Sequence, residues 1–201
     1  APRLTAREIS LAYGMVFTMP GIPFLYYGDE LGMHYRDIPT KEGGYRRTGS
    51  RTPMQWAPYN AGASPSCGFS SADPSRLYLP VDISGADDGI NVESQDADPH
   101  SLLNTIRDII SLRRAHPALS PSSELSAVFT QEDMRSLAYT RTDPKSGESV
   151  LIAVNPGTSE EAFAIGTGPA AGLLLRIGGM PCWETIGGET ARCRLRRLQL
   201  T

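Results

Sequence analysis

From Gly28 to about Asp98 the chain is rich in Gly, Pro, Ser, Asp and Asn and carries no convincing hydrophobic period, which leaves few folds open to it. Roughly seventy residues are far more than a connection between neighbouring elements takes, so within a compact domain such a stretch is either functional or disordered. Apolar and aromatic residues recur through it at Tyr35, Tyr45, Met54, Trp56, Phe69, Tyr78 and Ile90, which favours packing over disorder. What precedes it is regular. Thr5 and Glu8 form a capping box with Leu4 and Ile9 as its hydrophobic staple, so a helix starts at about Ala6. Ile9, Ala12, Val16 and Met19 then recur at helical spacing until Pro20-Gly21 stops the run. Ile22 to Tyr27 follows without period-two alternation, the pattern of a strand buried on both faces in a parallel sheet. A helix followed at once by such a strand is one step of an α/β barrel or an open α/β sheet. A long loop at the carboxyl end of a barrel strand is where barrels build their sites, although a merely supportive excursion is the alternative.

Beyond the loop, Asp98-Pro99 reads as an N-cap and first helical residue. Leu102, Leu103, Ile106, Ile109, Ile110 and Arg113 mark one face of a helix that runs to about Ala115, with Arg113 and Arg114 where the helix dipole favours cations. After Pro117 the pattern changes to short β-rich runs: Leu125 to Thr130, Ser136 to Thr142, Val150 to Asn155, Glu161 to Ile165, Leu173 to Ile177, Cys182 to Ile186 and Ala191 to Leu200. Turn chemistry separates them at Asp143-Pro144-Lys145-Ser146-Gly147, Asn155-Pro156-Gly157 and Gly187-Gly188. Regular short strands with such turns predict an antiparallel sandwich, and the domain division falls at 1–119 and 120–201.

Composition narrows function by exclusion. The net charge of −3 with interspersed signs gives no basic field, which argues against nucleic acid or an anionic membrane as partner and for a neutral ligand. Three cysteines, Cys67, Cys182 and Cys193, match no zinc spacing; free buried thiols in a reduced, cytoplasmic setting are the simpler reading, with one bridge between Cys182 and Cys193 across a hairpin left open. The opening Ala1-Pro2-Arg3 lacks an initiator Met and a signal pattern, so any targeting segment of a parent would lie outside this chain.

Asp29 and Glu30 are adjacent carboxylates. If the strand continues through Gly28 they point to opposite faces and cannot both flank one bond, whether at the ~5–5.5 Å of a retaining glycosidase or at the wider inverting distance, so both are expected to support the loop or to orient a group supplied from elsewhere. Arg51 is the better candidate for ligand contact, because its fixed fork of donors suits a pair of sugar hydroxyls or a carboxylate that must be held still; a loop-tethering ion pair is the alternative. Trp56 and Tyr27 have faces suited to stacking on a sugar, although core packing is the commoner use of both. His34, His100 and His116 are far apart and in no metal-ligating spacing, and Gly43 and Gly44 are followed by no Gly-Lys-Ser/Thr. No metal, cofactor or nucleotide is expected.

Gly21-Ile22-Pro23-Phe24-Leu25-Tyr26-Tyr27-Gly28-Asp29-Glu30 resembles the last-strand motif of the α-amylase superfamily, glycoside hydrolase family thirteen. Arg51-Thr52-Pro53-Met54-Gln55-Trp56 resembles its oligo-1,6-glucosidase, α-glucosidase and trehalose synthase branch, with Ala57 a departure from the Asp or Thr common there. Asn60-Ala61-Gly62, Ile90 to Gln95, and the run from Ser101 to His116-Pro117-Ala118-Leu119 continue the similarity. The resemblance implies the last αβα segment of a TIM (β/α)8 barrel followed by a C-terminal antiparallel β-sandwich. It also implies that Arg51 helps hold the non-reducing-end glucose; Tyr27, Asp29, Glu30, Gln55 and Trp56 are expected to support it or the loop. The family's catalytic aspartate nucleophile, glutamate acid/base and stabilising aspartate come from earlier strands, and no segment here resembles those that carry them. The expectation is the C-terminal portion of a retaining α-glucosidase or transglucosidase that acts on α-linked gluco-oligosaccharides or disaccharides, inactive alone, with an N-terminal barrel portion as its partner. The alternative is a non-catalytic carbohydrate-binding or domain-packing sandwich module.

Overall fold

A computed structural model of the chain describes residues 4–41, 46–133 and 135–157 with their side chains, and the backbone of four strands beyond them. The elements are α1 (Ala6–Thr18), α2 (Ile83–Asp87), α3 (Val92–Ala97), α4 (Leu102–Ala115), β1 (Glu124–Thr130), β2 (Leu137–Thr142), β3 (Ser149–Val154), β4 (Glu161–Gly166), β5 (Leu173–Ile177), β6 (Trp183–Ile186) and β7 (Thr190–Leu195). They group into two compact units, one of Ala1–Ile9 with Phe24–Arg107 and one of Ser10–Pro23 with Asp108–Thr201.

In the first unit α1 opens on the expected reciprocal cap: the Glu8 N–H donates to Thr5 Oγ1 (3.3 Å), and the Thr5 N–H donates to Glu8 Oε2 (2.7 Å). Leu4, expected as half of a staple, is exposed. The long aperiodic stretch contains short helices that local caps hold in place. Asn91, buried, accepts from the Ser94 N–H (2.8 Å) at the start of α3 and donates through Nδ2 to the Ala86 carbonyl (2.8 Å) at the end of α2. One stabilising side chain thereby fixes both helices, which are too short to stand alone. Asp98 does not open the last helix as the Asp98-Pro99 pair predicts; it closes α3, and α4 begins at Leu102 with Ser101 Oγ accepting from the Asn104 N–H (3.2 Å). Gln95 decides this, because its carbonyl takes the Ser101 hydroxyl (2.7 Å) and its Oε1 takes the Leu103 N–H (3.0 Å).

Ile22 to Tyr27 is a second correction. The run is extended but joins no sheet among the described residues, and Ile22 and Phe24 are 75% and 85% exposed. A parallel strand needs neighbours that satisfy its N–H and C=O groups and helices that cover its faces, and none of the described elements supplies them. Asp29–Leu31 then forms a 3-10 turn between Gly28 (φ 89) and Gly32 (φ 73), so the strand alternation expected for Asp29 and Glu30 does not apply.

The second unit is built on a sheet of order β1-β2-β3-β5, with a separate sheet of order β4-β7-β6. The strand boundaries follow the β-rich runs closely. β1, β2 and β3 pair antiparallel, whereas β5 lies parallel to β3, because the intervening β4 belongs to the other sheet and the chain returns in the direction it left. The Asp143 to Glu148 turn closes as its composition suggests, with Asp143 Oδ2 accepting from the Ser146 N–H (2.9 Å) and Gly147 at φ 75. The Gly187-Gly188 turn, Cys182 and the Arg196-Arg197 tail lie outside the described residues.

Alternation along β3 places Val150, Ile152 and Val154 on one face with Tyr139, Ala118 and Leu119, against Leu11, Met15 and Met19 of α1 and its end and Leu112 of α4. Each such aliphatic side chain contributes about 1.5–3 kcal/mol by burial. Small residues, Ala138 and Ala153, occupy the opposite face with Phe129 and Leu151. The C-terminal carbonyls of α1, orphaned by helix geometry, are taken by arginines: Arg113 donates to those of Phe17 (2.6 Å) and Met19 (3.0 Å), and Arg141 to that of Thr18. Thr18 Oγ1 and Tyr139 Oη meet at 2.6 Å and complete the join of helix to sheet.

Candidate functional site

The first unit contains an open cavity of about 560 Å³. Tyr27 and Glu30 reach it from the end of the apolar run, and Arg51, Pro53, Met54 and Trp56 from the Arg-Thr-Pro-Met-Gln-Trp loop. Phe69, Leu77, Tyr78 and Leu79 complete the lining. Four of the six expected residues, Arg51, Tyr27, Glu30 and Trp56, are thus brought together. Asp29 and Gln55 are not among the lining residues.

The loop is held from below. Gln55 is fully buried, its Nε2 donates to the Asp82 carbonyl (3.0 Å), and its own carbonyl accepts from the Val92 N–H (3.0 Å). The Trp56 carbonyl accepts from the Glu93 N–H (3.0 Å), and the Trp56 N–H donates to the Cys67 carbonyl (2.9 Å). The free N–H groups of the first turn of α3 therefore carry the loop, an economical use of donors that helix geometry leaves open. Gly68, at φ +75, packs so closely that a Cβ there would meet Trp56 Cβ at 2.9 Å. Asp82, itself buried, pairs with Arg36 and has His34 Nδ1 at 3.5 Å. Burial, with the charges of Asp87 and Asp82, pushes the Cys67 thiol up, which keeps it neutral and unreactive.

At the cavity, Tyr27 Oη donates to the Thr52 carbonyl (3.1 Å). Burial raises its phenol, Tyr26 adds to the rise, and the positive charge of Arg51 works against it, so Tyr27 is a neutral donor. Glu30 Oε2 is buried and accepts from none of the described residues. The lining combines the Glu30 carboxylate, two donor-only groups, the Arg51 guanidinium and the Trp56 indole N–H, the Tyr27 and Tyr78 hydroxyls, and a mostly apolar and aromatic wall, which is the make-up of a small-molecule site. Glu30 is the sole carboxylate among the described residues of the lining.

Phe69 and Tyr78 were legible only as aromatic punctuation read as packing, yet they are 48% and 57% exposed along the cavity. Asn91 and Gln95, which fix the helices beneath the loop, fall within the Ile90 to Gln95 similarity without being singled out there, and Asp82, which pairs with the Arg36 side chain, gave no motif-level signal.

The alpha amylase catalytic domain family matches residues 3–122. The chain is 41% identical over 150 residues to the trehalose synthase/amylase TreS of Mycobacterium tuberculosis (strain ATCC 25618 / H37Rv), covering 74% of this chain and 23% of that protein. It is 30% identical over 177 residues to the probable oligo-1,6-glucosidase 2 of Bacillus subtilis (strain 168), covering 74% of this chain and 29% of the relative. The crystal structure of the trehalulose synthase MutB from Pseudomonas mesoacidophila MX-45 shares its fold with a TM-score of 0.62 at 20% identity, covering 95% of this chain and 37% of that one. The chain therefore spans about a quarter of the length of these curated relatives. With the family matched over most of the barrel-like half and with both loop motifs placed on one cavity, the chain belongs to the α-amylase family, in its trehalose synthase and glucosidase branch.

Proposed function

We propose that this chain is the C-terminal portion of a retaining α-glucosidase or glucosyl-transferring enzyme of carbohydrate metabolism, and that it supplies one side of the sugar pocket. The observation that carries the reading is the convergence of Arg51, Glu30 and Tyr27 with Trp56 on one cavity. Arg51 offers a fork of donors to adjacent hydroxyls, and Trp56 offers a ring face to the C–H side of a pyranose. A carboxylate oxygen buried without a donor is costly, and a sugar hydroxyl would offset that cost at Glu30.

Cleavage of a glycosidic bond with retention takes two carboxyl groups about 5–5.5 Å apart, and the described lining offers one. The chain alone therefore binds but does not cleave; the nucleophile and acid/base come from an N-terminal barrel portion, which also covers Ile22 to Tyr27. The two sheets of the second unit form the C-terminal sandwich and serve packing. Calorimetric titration of the purified chain with maltose tests the pocket: the expected result is saturable binding that Arg51→Ala weakens at least tenfold. Absence of binding, or binding indifferent to Arg51, contradicts the reading.

A further inference from the structure

Resting on the sugar-pocket reading, we infer that the ion pair of Arg36 with Asp82 is a positioning bracket: it holds Arg51 in place for the sugar without touching the sugar itself. The described lining of the cavity includes neither residue. Each instead holds one end of the stretch that carries Arg51.

At the front end, the Arg36 N–H donates to the carbonyl of Gly49 (3.0 Å), and the Arg51 N–H donates to that of Thr48 (3.0 Å). The two backbones approach so closely that a Cβ on Gly49 would meet the Arg36 carbonyl oxygen at 1.8 Å. At the far end, the Asp82 carbonyl accepts from Gln55 Nε2 (3.0 Å). The side chains of Arg36 and Asp82 then join, Nη1 to Oδ1. The result is a closed circuit from Gly49 to Arg36 to Asp82 to Gln55, with Arg51 on the stretch it encloses.

Asp82 suits this part because it is itself fixed. Its side chain is 2% exposed, Ser84 Oγ donates to Oδ1 (3.0 Å), and His34 Nδ1 lies 3.5 Å from Oδ2. A Cβ on Gly85 would meet Asp82 Oδ2 at 2.7 Å and Gln55 Nε2 at 3.1 Å, so α2 makes room for the circuit by omitting a side chain there. A buried ion pair is a poor device for stability alone, since taking its charges out of water offsets their attraction and apolar replacements are often as stable. What the pair supplies is geometry, because a guanidinium fork and a carboxylate meet in few orientations and a binding group works only when held to within about 0.5 Å.

The test uses the whole chain with Arg36→Met and Asp82→Asn combined, which leaves no lone buried charge, in the parent and in an Arg51→Ala background. Three properties are read: urea unfolding, amide hydrogen exchange by mass spectrometry, and calorimetric titration with maltose. The expected result is a urea midpoint near that of the parent, faster exchange confined to residues 48–56, and maltose affinity lowered about fivefold. With Arg51 already replaced, the same pair of substitutions should change affinity by under about twofold, because the bracket acts through Arg51. Unchanged exchange at 48–56, or unchanged affinity in the parent background, would overturn the inference. Equal losses of affinity in both backgrounds would make the pair a general support of the unit and overturn it as well. Maltose left unbound by the parent chain would overturn the pocket reading, and the exchange comparison would still decide whether the pair holds the stretch. If the double variant unfolds, Arg36→Lys decides the matter, since it keeps the charge and loses the fork: exchange and affinity both unchanged overturn the inference.

Discussion

Arg141, a fully buried side chain of β2, donates from Nη1 to the carbonyl of Thr18, the last residue of α1. Its Nη2 reaches the carbonyls of Ser120 (2.6 Å) and Ser123 (3.1 Å), and no carboxylate among the described residues pairs with it. Burial without a counter-charge lowers its pKa, with nearby Arg113 adding to the fall. The cost of holding this cation is offset by three backbone acceptors, the Thr18 and Ser123 carbonyls in buried bonds and the Ser120 carbonyl in a partly buried one. Replacement by Met leaves them unpaired, and hydrogen bonds to charged groups are worth about 1.5–3 kcal/mol each. Arg141→Met should lose about 3 kcal/mol or more in urea unfolding, with Arg141→Lys recovering only part because an ammonium lacks the fork. A loss under about 1 kcal/mol would mean that the three carbonyls find other donors.

Gly68 is a place where a side chain is excluded twice. Its φ of +75 disfavours any L-residue, and an added Cβ would meet Trp56 Cβ at 2.9 Å. Gly68→Ala should cost about 1–3 kcal/mol and move the Trp56 ring, seen as a shift in tryptophan emission in a Trp183→Phe background. Unchanged emission with unchanged stability would show that the turn relaxes freely.

Asn91 caps α3 and ties it to the end of α2. Asn91→Ala should lose about 1–2 kcal/mol, the upper part of the N-cap range, because the buried Ala86 carbonyl loses its side-chain donor as well. Asn91→Asp keeps the cap but cannot donate, so it should fall between the two in thermal unfolding. Since Val92 and Glu93 hold the carbonyls of Gln55 and Trp56, maltose affinity should fall in the same order.

Acid sensitivity has an address at Glu148. The Ala118 N–H (2.9 Å) and then His116 Nδ1 (2.7 Å) hold its carboxyl below the ordinary carboxylate value of ~4.3. A carboxylate whose folded value is depressed stabilises the fold above its unfolded pKa, and that contribution is lost as pH falls through the lower folded value. Stability should therefore decline below about pH 4.3, and Glu148→Gln should flatten that part of the profile while lowering stability at neutral pH. Identical pH profiles for the two proteins would remove Glu148 from the account.

Local signals were legible and non-local ones were not. Thr5 with Glu8 fixed the start of α1, and the β-rich runs with their turns located the first six strands within a residue at each end and the start of the seventh, whose expected continuation to Leu200 lies outside the described residues, because both kinds of signal act over neighbouring positions. Ile22 to Tyr27 misled for the opposite reason: the pattern states that the run wants covering on both faces, not that the covering elements are present. The helices α2 and α3 were hidden because Asn91, Gln95 and Gln55, rather than an apolar period, hold them. The parallel β3–β5 pair depends on β4 changing sheets, which no residue pattern announces. At the site, a six-residue motif delivered Arg51 and Trp56, while Phe69 and Tyr78 carried only the general signature of buried aromatics.

The most direct measurement is hydrolysis of p-nitrophenyl α-glucoside by the purified chain, alone and after mixing with a separately produced N-terminal barrel portion of a related enzyme. The expected result is no turnover alone and turnover on mixing that Arg51→Ala abolishes. Turnover by the chain alone would contradict the claim that the nucleophile and acid/base come from another segment, and association of the two pieces without turnover would contradict the claim that this chain supplies a working side of the pocket.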